Sequence, residues 1–86
     1  HHYVQQLAER LGAWYDAEQA WPPEWRDACG MGDDAVLVTA EQLDELMREV
    51  RELLGRYREA GAGDPTARRV LVGTAATPVD PEVVPA

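Results

Sequence analysis

Thr39-Ala-Glu-Gln-Leu-Asp-Glu-Leu-Met-Arg-Glu-Val-Arg-Glu-Leu-Leu-Gly-Arg-Tyr-Arg-Glu-Ala-Gly61 carries the strongest local structural signal in the chain. Thr39 is a residue type that caps helix N-termini, and Gln42 three positions on completes a capping box. Leu43, Leu46, Met47, Val50, Leu53, Leu54 and Tyr57 then recur at steps of three and four. That spacing lines one wide face of an α-helix with apolar side chains. A two-stranded coiled-coil seam would be narrower and would run through more heptads. Acids fill the first turns (Glu41, Asp44, Glu45) and arginines the later ones (Arg48, Arg51, Arg56, Arg58), in the sense that the helix dipole favours. Asp44–Arg48 and Glu52–Arg56 add acid-before-base pairs at i,i+4. Gly61 stands where the C′ residue of such a helix is expected.

This helix cannot be stable alone. Its seven apolar side chains contribute at most about 1.5–3 kcal/mol each when fully buried. Ordering about twenty backbone positions costs roughly 1–2 kcal/mol apiece. Something else must cover the stripe, either another part of the chain or a partner.

Working back toward the N-terminus, Val4, Leu7, Leu11, Trp14 and Trp21 follow a similar but narrower spacing. They predict a helix over about residues 3–20, ended by Pro22-Pro23. Val4, Leu7, Leu11 and Trp14 form a seam that suits packing on another helix, and we read them as a candidate dimer interface. Gly12 within it costs about 1 kcal/mol relative to alanine. It is either tolerated or marks a close crossing with a partner helix. No capping residue precedes Val4, so the helix is expected to begin upstream and the chain to be part of a longer protein.

Between the helices, Trp21-Pro-Pro-Glu-Trp25 is a turn leading into a short helical turn through Asp27 and Ala28. Gly30-Met-Gly-Asp-Asp34 is a loop by composition. Ala35-Val-Leu-Val38, a continuous apolar run, is expected to be a buried strand. After the main helix, residues 60–65 return and Arg68–Ala76 supplies a second expected strand, closed by Pro78. The expected fold class is therefore α+β: an N-terminal helix followed by a small β-α-β unit with a right-handed crossover. Two strands leave open edges and are marginal alone, so dimerisation is expected to complete the unit. Residues 1–78 are read as one small domain and 79–86, with two prolines and two acids among valines, as a flexible tail.

Eighty-six residues with eight arginines, no lysine and sixteen acids give a net charge of −8. Without a basic cluster the chain is a poor ligand for nucleic acid or an anionic membrane. No segment is long and apolar enough to span a bilayer. The single cysteine, Cys29, precludes an internal disulfide and fits a reducing cytoplasm. Serine is absent, both histidines open the chain, and Cys29 has no histidine near it in sequence. These residues build no nucleophilic site, so no catalytic residue, cofactor or metal is expected. The acids around Cys29 read as a solvated loop rather than a soft-metal site.

The aromatic residues are concentrated at one end: Tyr3, Trp14, Tyr15, Trp21 and Trp25 lie in the first twenty-five residues, and only Tyr57 follows. Three uses stay open. They form core, they anchor a dimer, or they wall a pocket for a small apolar or aromatic molecule. In the last case the lining would be Trp14, Tyr15, Trp21 and Trp25, with Leu54 and Tyr57 from the main helix.

Three stretches together resemble ArsR-like bacterial winged-helix transcriptional regulators over about residues 3–78. They are Trp21-Pro-Pro-Glu-Trp25, Val38-Thr-Ala-Glu-Gln-Leu43 leading to Leu53-Leu-Gly-Arg-Tyr-Arg58, and Asp64-Pro-Thr-Ala-Arg-Arg-Val-Leu-Val72 before Thr77-Pro78. The resemblance implies the region outside the DNA-binding winged helix, serving dimerisation and small-molecule effector binding. DNA would be reached only through a winged-helix part that this chain lacks, and the clustered ligands of metal sensors are missing. The rival readings are a free-standing interaction or dimerisation module, and a small dimeric α+β ligand carrier or enzyme.

Overall fold

A computed structural model of the protein describes residues 2–86. Its elements are α1 (His2–Ala17), a 3-10 turn (Glu18–Ala20), α2 (Pro23–Ala28) and α3 (Ala40–Arg56). The expected α+β class is wrong. Among the described residues there is no strand, and the β-α-β unit does not exist.

The physical reason lies in the two apolar runs. A strand is defined by a neighbour that takes up its backbone groups, and neither run has one here. Residues 30–39 and 67–78 are irregular. Val36, Leu37 and Val38 are 59%, 102% and 39% exposed, and Val70, Leu71 and Val72 are also exposed. β-Propensity reflects fit to a half-buried pleated surface more than an intrinsic backbone preference. Composition therefore marked residues able to join a sheet without supplying one.

The helices follow their local signals more closely. α3 begins at the Thr39 cap, whose backbone is extended (φ −80°, ψ 168°). It ends at Arg56, short of the expected terminus, with Tyr57 as the C-cap. There the ladder tightens to three-residue spacing: the Tyr57 amide donates to the Leu54 carbonyl at 3.1 Å and Arg58 to Gly55 at 3.4 Å. Such tightening satisfies end carbonyls that the α-helical ladder leaves open. Successive turns carry the chain on, with Ala60 donating to Tyr57, Ala62 to Glu59 and Asp64 to Gly61. The left-handed residue after the helix is Gly63 (φ 85°), not Gly61.

α2 opens on Pro23, in the first helical position, where a missing amide hydrogen costs nothing. The Cys29 amide closes it onto the Trp25 carbonyl at 3.0 Å. α1 carries neither an acid in its first turn nor a base in its last, so it lacks the charge order that supports α3.

The chain divides into two compact units, one formed by residues up to Pro22 with Val70–Ala86, the other by Pro23–Arg69. In the first unit the C-terminal segment approaches α1 at Gly73. A Cβ at that position would lie 3.0 Å from the Tyr3 hydroxyl and 3.8 Å from a Leu7 methyl. In the second unit Arg69 ties the chain back to the turns that follow α3: it donates to the Arg58 carbonyl at 3.2 Å and faces Glu59 at 3.4 Å. Neither unit encloses a core: no described residue is buried.

Candidate functional site

The most developed surface in the second unit is the apolar face of α3. Thr39 and Gln42 fix its start by reciprocal hydrogen bonds of 3.1 and 3.0 Å. Arg48 and Asp44 make the i,i+4 ion pair expected from the spacing, at 2.8 Å, with both side chains mostly in solvent. Such a pair adds only a few tenths of a kcal/mol to a helix. The stripe stays open to solvent. Leu43, Leu46, Met47, Val50 and Leu54 are half-buried, while Leu53 and Tyr57 are 45% and 68% exposed.

The loop beyond α3 is held locally. The Thr66 hydroxyl and amide both donate to Asp64 Oδ1, at 2.7 and 2.8 Å. Those two bonds, the hydroxyl's first, favour the charged form and hold the Asp64 carboxyl below the ordinary aspartate range. Arg68 donates to the Pro65 and Ala67 carbonyls at 2.9 and 2.7 Å. Gly61 allows the close return of Ala67, since a Cβ on the glycine would sit 2.7 Å from that of Ala67. An acid two residues before a threonine is a readable turn signal. Nothing in the local spacing announces that Arg69 returns to Arg58 and Glu59 in the turns after α3.

The expected pocket residues fall in both units: Trp14, Tyr15 and Trp21 in the first, Trp25, Leu54 and Tyr57 in the second. Within the first, Trp14 and Trp21 meet edge to face, with ring centroids 5.5 Å apart at 66°. Tyr15 is 47% exposed, and Trp25 in the second unit is half-buried. A shallow depression on α1 is lined by Gln6, Glu9, Arg10 and Ala13, none of them an expected ligand residue.

Of the expected dimer seam, Val4 is 61% exposed, and Leu7, Leu11 and Trp14 are half-buried. Leu7 already receives the C-terminal segment at Gly73. A Cβ at Gly12 would meet nothing within 4 Å, so that glycine serves no close crossing among the described residues. Cys29 is a free, half-buried thiol. No group of histidine, cysteine and acidic side chains suited to a metal occurs among the described residues. No described helix is long and apolar enough to cross a membrane.

Compared with protein-family models, with curated proteins and with solved structures, the chain matches none.

Proposed function

We propose that the chain is a dimerisation and protein-interaction module in which the apolar face of α3 is covered by a second copy. The observation that carries this reading is a well-specified helix whose stripe is nowhere more than half-buried. α3 has a capping box, a favourable order of charges and an i,i+4 ion pair. In proteins most of the stability of such an amphipathic helix nevertheless comes from packing of its apolar face. Burying the stripe supplies the missing term, at about 1.5–3 kcal/mol for each large apolar side chain fully removed from water.

A second copy suits the rim of this face. Helical spacing puts Asp44 and Arg51 along one edge of the stripe and Glu49 and Arg56 along the other, one acid and one base on each side. A balanced rim meets its own copy without a single-sign field at the contact. The net charge of −8 acts over longer distances, where salt screens it beyond about 8–10 Å. The resemblance to winged-helix regulators offers one setting for such a module, the dimerising part of a cytoplasmic regulator. That setting rests on the resemblance alone.

Helicity measured against concentration tests the proposal. Far-UV circular dichroism of the whole chain is expected to gain helix from low to high micromolar concentration. Leu46→Asp, which puts a charge in the stripe, is expected to abolish the gain, while Arg48→Gln on the opposite face leaves it in place. A concentration-independent spectrum for all three proteins would refute self-association through α3.

A further inference from the structure

We draw no further inference here: the strongest candidate, the C-terminal segment 70–86 where Gly73 approaches Tyr3 and Leu7 on α1, rests on one close backbone approach, and nothing in the structure shows what else would cover the α1 seam that it touches.

Discussion

Thr39 and Gln42 exchange hydrogen bonds across the first turn of α3: the Gln42 amide donates to Thr39 Oγ1 at 3.1 Å, and the Thr39 amide donates to Gln42 Oε1 at 3.0 Å. Two amide hydrogens that the helix ladder leaves open are satisfied in this way, and the irregular segment before Thr39 is separated from the helix after it. The cap acts before any tertiary packing. It therefore sets where α3 starts whether or not a partner is present.

Replacing Thr39 by Ala is expected to destabilise α3 by about 1 kcal/mol, the usual cost of losing such a cap. Thr39→Ser keeps an accepting oxygen and is expected to stay close to the parent. Amide exchange at Gln42 and Leu43 reads the difference directly. Equal protection in the alanine and serine variants would contradict a capping role.

The turn after α3 depends on the missing side chain at Gly61. Gly61→Ala brings a Cβ to 2.7 Å from that of Ala67, so the return must open. Faster exchange is expected at the Ala67 amide, which donates to the Asp64 carbonyl at 3.1 Å. Adding Ala67→Gly removes the opposing carbon and should restore protection. Failure of that second change to rescue would place the cost elsewhere.

Asp64 makes the same turn sensitive to pH. Its carboxyl titrates below the ordinary aspartate range because the charged form accepts from Thr66. A depressed folded-state value stabilises the turn above the unfolded-state value, and that contribution disappears as pH falls through the folded one. The turn is therefore expected to hold at neutral pH and loosen only in strong acid. Carbon-13 titration of the Asp64 carboxyl checks the direction, and Thr66→Ala should move its midpoint back up.

Trp14 and Trp21 predict a spectroscopic signature. Their edge-to-face contact belongs to a geometry worth about 0.5–1.5 kcal/mol beyond area burial. Trp14→Phe and Trp21→Phe should each reduce the near-ultraviolet dichroism of the chain by a similar amount, with the double change adding little. Additive losses would mean that the two rings are independent.

Much of the helical part was legible in the sequence because helix signals are local. Thr39 with Gln42, Pro23 after Pro22, and the three-four spacing from Leu43 all act within a few residues. The sheet was misread because pairing is not local. Val36-Leu-Val38 and Val70-Leu-Val72 share one apolar tripeptide, yet neither forms a strand here. The end of α3 was misplaced because Gly61 resembles a helix-stopping glycine, whereas it accommodates Ala67 and the left-handed turn comes two residues later at Gly63. Of the expected pocket residues, the contact between Trp14 and Trp21 follows from their closeness at the end of the first helix. Residues from separate units have no such local rule to bring them together.

The mass of the protein in solution shows whether a second copy covers α3. Light scattering behind a sizing column, at high micromolar concentration and moderate salt, should give twice the 9.5 kDa of one chain. Leu46→Asp and Leu53→Asp should return it to the single-chain value. A parent protein that stays at the mass of one chain while α3 remains helical would rule out self-association through α3, because the stripe would then persist without a second copy.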